Sequence, residues 1–246
     1  MGTSTSYSAP PSWSGLKGEV TRTAHSGSIT ADKTRQLIQG FIKNSGGARA
    51  LAGRGGGGGQ GGGTVASGQA ARSTARRLGS FISDVGRIGF EKALRNAGWG
   101  DLVGRPVSEI LNALLDRVGG DASTIDDVDA RMALSKLQEK YFADATTIEE
   151  LEERLTNQVD RLEMVLQDFF GLYLYELFCR VFFERLVQRV GDTRAHSYLN
   201  EIGDFIKSTL ANRVTNRDIS QINWAGSEGE TITAEIMETT LNVFGG

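Results

Sequence analysis

The side chains that most often bind metals or attack substrates are scarce in this chain: two histidines, His25 and His196, and a single cysteine, Cys179. Zinc sites draw on closely spaced pairs of such ligands, and two isolated histidines without a cysteine pair do not supply one. Cys179 stands among Phe178, Val181 and Phe182, where a thiol behaves as a small buried apolar group rather than as a thiolate nucleophile. The glycine run around Gly55 to Gly63 matches fragments of Gly-x-Gly patterns, but no Gly-Lys-Ser/Thr follows to give a phosphate loop its lysine and its magnesium ligand. The Gly-x-Ser-x-Gly nucleophile elbow is missing as well. Glu149, Glu150, Glu152 and Glu153 could form a carboxylate pair for acid–base work, yet acids in a first helical turn ordinarily face water and complement the helix dipole. The residues therefore point to no catalytic site, no metal ligand set and no cofactor.

Charge distribution says more than the net charge of -3. Residues 49–105 hold nine Arg or Lys against three acids, and Arg72, Arg76 and Arg77 in "ARSTARR" are the candidates for contact with a nucleic-acid backbone. Stacking aromatics are not interleaved with them, so a helix surface or an acidic protein partner fits the same residues. The lone cysteine excludes an intramolecular disulfide framework. No charged segment followed by an apolar one marks a secretion signal, which makes the cytoplasm the default location.

The elements that would position these residues read as helices. Residues 1–28, rich in Ser, Thr, Gly and Pro, lack the apolar content to offset the entropy of ordering and read as a disordered tail. Residues 29–45 form a short amphipathic helix with Leu37, Ile38, Phe41 and Ile42 on one face, expected to dock on the chain's own body or on a partner. Residues 46–68 read as a glycine-rich flexible linker, and 69–246 as an all-α bundle, the whole comprising about six helices. Pro106 and Gly119-Gly120 bracket one helix; Thr146 and Glu149 have capping-box spacing at the start of another, which runs toward Val190 with a bend or break expected at Gly171. The apolar stretch "FFGLYLYELFCRVFFERLV" carries Glu176, Arg180 and Glu184 at four-residue intervals, an ion-pair stripe that a membrane span would tolerate badly. It reads as the central core helix, the alternative being a groove that takes a partner helix.

The N-terminal "MGTSTSYSAPPSW", the glycine-rich stretch, "RRLGSF" and "DLVGRPVSEILNALLDRVGGDASTIDDVDARMALSKLQ" together resemble the QatB component of the bacterial Qat anti-phage defence system. The resemblance is strongest at the start and over residues 69–140. It implies a non-enzymatic accessory, encoded with an ATPase, a QueC-like enzyme and a TatD-like nuclease, whose terminus the QueC-like enzyme modifies with a deazaguanine-type group. Gly2 is then the acceptor: its small side chain favours removal of Met1 and leaves an open amine. Tyr7 and Trp13, the tail's aromatics, become contacts for the enzyme, and Leu37 and Phe41 contacts for a partner or for the body. "MGTSTS" also fits a myristoylation pattern, but no polybasic segment adds the second anchor that stable membrane binding needs. The closing "NVFGG" resembles the diglycine end of ubiquitin-like modifiers and reads more simply as a helix with a glycine stop.

Overall fold

The computed structural model describes residues 11–54, 67–120, 123–213 and 217–245, and among them the regular structure is entirely helical. Eleven α-helices and two short 3-10 turns form it, rather than about six helices. The count rises because the chain changes direction at points where glycine or a cap permits it. Gly89, at φ +85°, separates α4 (Gln69–Ile88) from α5 (Phe90–Asn96), and Gly191, at φ +81°, separates α9 (Leu162–Val190) from α10 (Asp192–Ala211). A side chain at either position would be held in a backbone region that L-residues rarely adopt.

Helix α1 (Pro11–His25) corrects the expectation of disorder across residues 1–28. Trp13, Leu16, Val20 and Ala24 recur at three- to four-residue spacing and all are buried, so a narrow apolar stripe runs through a segment whose average composition is small and polar. Helix α2 (Ala31–Asn44) opens on Thr30, whose hydroxyl accepts from the Lys33 amide, and buries Leu37, Ile38, Phe41 and Ile42. The Phe41 ring lies 5.8 Å from Trp13, 5.3 Å from Phe178 and 5.9 Å from Phe182. The first two helices are thus part of the core and not a tethered appendage. Within the expected linker, α3 (Ala48–Leu51) buries Ala48 and Leu51.

Helix α9 is the axis of the bundle. Its Phe169, Phe170, Tyr173, Phe178, Phe182 and Leu186 are fully buried, whereas Val181 is only half-buried. Helix α9 runs straight through Gly171, and the interruption comes earlier, between α8 (Ile148–Thr156) and α9, around a 3-10 turn at Val159–Arg161. Gly171 serves close approach instead: a Cβ there would stand 2.3 Å from Leu210 Cδ1 of α10. Helix α10 returns antiparallel to α9, with Gly203 against Tyr175 and His196 against Phe183. Helix α7 (Ile125–Phe142) also runs antiparallel to α9, pairing Asp129 with Arg180 and Lys140 with Asp168. Helix α6 (Val107–Gly119) covers the side of α7 away from α9, and α11 (Ser227–Asn242) packs on α3, α4 and α9.

The caps follow their sequence signals closely. Thr124 and Asp127 make a reciprocal capping box at α7, and Thr147 with Glu150 makes the one at α8, a residue later than the spacing of Thr146 and Glu149 suggests. Thr146 still takes part, since its amide and hydroxyl both donate to Glu150 Oε2.

Candidate functional site

The residues singled out for chemistry do not converge. His25 is exposed at the end of α1; His196, in the second turn of α10, has its ring 4.9 Å from that of Phe183. Cys179 is half-buried on α9, and burial pushes its thiol up to about 12, which keeps it protonated and unreactive near neutrality. In the acidic cluster, Glu150 caps α8, and Glu152 accepts from the Phe90 amide at 3.0 Å, tying α8 to the start of α5. No group of three or more His, Cys, Asp or Glu among the described residues is arranged to hold a metal ion.

The candidate nucleic-acid contacts are occupied within the fold. Arg72 donates to the Leu51 carbonyl at 2.9 Å and to the Ser67 carbonyl at 3.2 Å, fastening α4 to the end of α3. Arg77 donates to the Val118 carbonyl at 2.7 Å, closing the end of α6, and Arg76 pairs with Glu230 of α11 at 2.7 Å. A phosphate backbone would have to displace these partners. Of the residues expected to bind partners, Trp13, Leu37 and Phe41 are at most 1% exposed and make intramolecular contacts. Gly2 and Tyr7 lie outside the described residues, as does Gly246; Phe244 before it is buried.

What the surface does present is on α7. Its inner face, with Ala130, Ala133, Leu134 and Leu137, is buried, while Ile125, Val128 and Met132 are 64%, 42% and 47% exposed. These are the exposed large hydrophobic side chains among the described residues, and their 3-4 spacing sets them in one stripe. The signal was present in "IDDVDARM" but was masked by its acids, which draw attention to the helix dipole and leave the apolar positions between them unremarked.

Beside the stripe runs a row of ion pairs joining α7 to α9. Arg180 Nε lies 2.8 Å from Asp129 Oδ2, and Lys136 Nζ 2.6 Å from Glu176 Oε1. The stripe of Glu176, Arg180 and Glu184 expected within α9 is therefore resolved between helices instead. Asp129 and Glu176 are 3% and 4% exposed, so each carboxylate depends on its cation from the neighbouring helix. Burial, followed by the nearby Asp126 and Glu176, raises the Asp129 carboxyl to about 6 against the pull of Arg180. At the base of this row Tyr173 donates to Asp126, and burial together with that carboxylate holds its phenol far above the usual range.

Past Lys136 the surface opens into a groove of about 860 Å³ between α7, α9 and α10. Its floor is Leu172, Tyr175, Ile206 and Leu210; Lys136 and Lys140 stand on the α7 wall, and Asp204 and Lys207 on the α10 wall. Leu172, Ile206 and Leu210 are buried, at 7%, 2% and 5% exposed, and lysines and acids are equal in number along the lining.

No helix among the described residues is long and apolar enough to cross a membrane. No curated protein and no solved structure matches the chain. The family model described as Qat anti-phage system associated protein QatB does match, over residues 46–244, which takes in α3 through α11. With most of its length covered by that model, the chain belongs to the QatB family of the Qat anti-phage system.

Proposed function

We propose that this chain is a non-enzymatic component of the defence system, which assembles with the other Qat proteins through its helical surface and offers its N-terminus to a QueC-like enzyme for covalent modification. The observation that carries the assembly role is the stripe of Ile125, Val128 and Met132, an apolar surface that an isolated soluble helix face would not need. The partners are the QueC-like enzyme and the ATPase of the same gene cluster.

For the N-terminus, the support is chemical. An α-amine with a pKa of about 8 is neutral to a useful extent near pH 7, far more so than an exposed lysine. After loss of Met1, the Gly2 amine would attack an activated acyl carbon of the incoming group, forming an amide as the activating group leaves and the amine gives up a proton. Trp13, buried two residues into α1, anchors the chain behind the segment that would enter the enzyme.

Two measurements test the two halves. In cells carrying the whole gene cluster, a Val128→Glu/Met132→Glu chain should lose co-purification with its Qat partners by at least about tenfold while keeping its melting temperature, since both side chains already face water. Intact-mass and N-terminal peptide spectra from the same cells should show an adduct on Gly2 that is lost in Gly2→Pro. An unmodified Gly2 during active defence would remove the modification role and leave assembly standing.

A further inference from the structure

Helix α1 contains two glycines that its surroundings do not require. A Cβ built on Gly15 or Gly18 would meet nothing within 4 Å, and neither residue has a positive φ. Glycines inside α4, α10 and α11 behave differently. A Cβ on Gly79 of α4 would stand 2.5 Å from Trp224, one on Gly203 of α10 2.9 Å from Tyr175, and one on Gly229 of α11 2.4 Å from the Trp224 carbonyl oxygen. There glycine admits a neighbour. In α1 it only weakens the helix relative to alanine, because it gives up more backbone freedom on folding.

The attachment of α1 to the body is uneven in the same sense. Its second half is fastened by polar contacts: Arg185 Nε of α9 donates to Thr21 Oγ1 at 3.1 Å, Arg194 Nε of α10 donates to the Ala24 carbonyl at 2.9 Å, and Glu19 pairs with Lys33 of α2. The first half docks through the side chains of Trp13 and Leu16. Burial of Trp13 carries a penalty, since its Nε1 donor is enclosed with no hydrogen-bond partner among the described residues, where water would satisfy it. Opening of the first half returns that donor to water and releases both glycines from helical backbone. A segment with these properties opens at a lower free energy than the fold as a whole.

We propose that residues 11–18 unwind and leave the body together while residues 19–25 stay docked, and that this opening lengthens the N-terminal segment available to a modifying enzyme. The proposal rests on the modification role above and adds the device that controls reach. Eight residues in a helix span about 12 Å, whereas the same eight extended span up to about 27 Å. In the docked state Trp13 limits how far the terminus extends from the body, and its release removes that limit.

Hydrogen exchange of the full-length chain, followed residue by residue and corrected for intrinsic rates, tests the opening. Amides of residues 15–22 donate to carbonyls of the opening segment. They should exchange at least about tenfold faster than those of residues 23–25, which donate to carbonyls of the docked half. Gly15→Ala/Gly18→Ala should slow exchange over residues 15–22 by about tenfold or more and leave residues 23–25 unchanged. In cells carrying the whole gene cluster, the same double variant should lower the yield of adduct on Gly2 by about tenfold at an unchanged amount of protein. Eight Gly/Ser residues inserted between Pro10 and Pro11 of that variant should restore it.

Exchange over residues 15–22 no faster than over 23–25, exchange indifferent to the double substitution, or an undiminished adduct would each overturn the proposal. So would an insertion that restores nothing, because the alanines would then act through a contact and not through reach. A parent chain with no adduct on Gly2 removes the modification role and this proposal with it. An adduct in the parent that survives the alanines removes this proposal alone.

Discussion

Asp129 links the stability of the fold to pH, and it does so in the direction opposite to an ordinary salt-bridged aspartate. Its carboxyl titrates near 6 in the folded chain, against an ordinary value near 3.9 for an unfolded aspartate. Because the folded value is the higher one, the native state binds the proton more readily. The stabilisation this gives is complete below about pH 4 and is lost as pH rises through about 6. Above that range the ionised group remains buried and relies on Arg180. Asp129→Asn should therefore flatten the dependence of melting temperature on pH between about 4 and 6 relative to the parent chain. An unchanged slope in that window would show that another group sets it. Sequence could not reveal this site: "DDVDARM" offers several acids, and only the register of α7 against α9 decides that Asp129 turns inward while Asp127 caps the helix.

At the scale of elements, the sequence was most informative where a helix begins or ends on its own chemistry and least where its course depends on a neighbour. Pro106 and Gly120 bracket α6 as their types require, and α7 opens on its capping box. Gly171 shows the opposite case. Glycine in a helix interior reads as a weak point, since it costs about 1 kcal/mol against alanine, but here it leaves room for Leu210. Propensity predicts that Gly171→Ala is stabilising; packing predicts the reverse. We expect Gly171→Ala to lower the melting temperature by several degrees, roughly the effect of 1 to 3 kcal/mol of overpacking, and Leu210→Ala in the same chain to recover part of the loss. The shortest contact is with the tip of a leucine, so part of the clash can be relieved by a rotamer change. A melt above that of the parent would show that Leu210 adjusts fully and that the glycine is not needed for the approach of α9 and α10.

At the scale of the whole molecule, the boundaries drawn from composition and those drawn by packing differ most at the N-terminal side. Composition separates residues 1–45 from the body, and the family model likewise begins at residue 46. Packing joins them: Trp13, Leu37, Ile38, Phe41 and Ile42 are at most 1% exposed, and Phe41 fills the space between Trp13 and the Phe178–Phe182 pair of α9. Arg185 Nε donates to Thr21 Oγ1 at 3.1 Å, and Arg194 Nε to the Ala24 carbonyl at 2.9 Å, so α9 and α10 also hold α1 by hydrogen bonds. A chain starting at residue 46 would expose Phe178 and Phe182 to water, and loss of burial for a single large side chain already costs about 3 kcal/mol or more. That is a large fraction of the 5 to 15 kcal/mol that typically holds a domain together. We therefore expect the shortened chain to bind a hydrophobic dye and to melt more than about 10 °C below the parent, or to be recovered only in aggregates. If the chain starting at residue 46 instead melted like the parent and bound no dye, α1 and α2 would be a detachable arm, as their composition suggests, and their contacts with α9 would contribute little to the stability of the bundle.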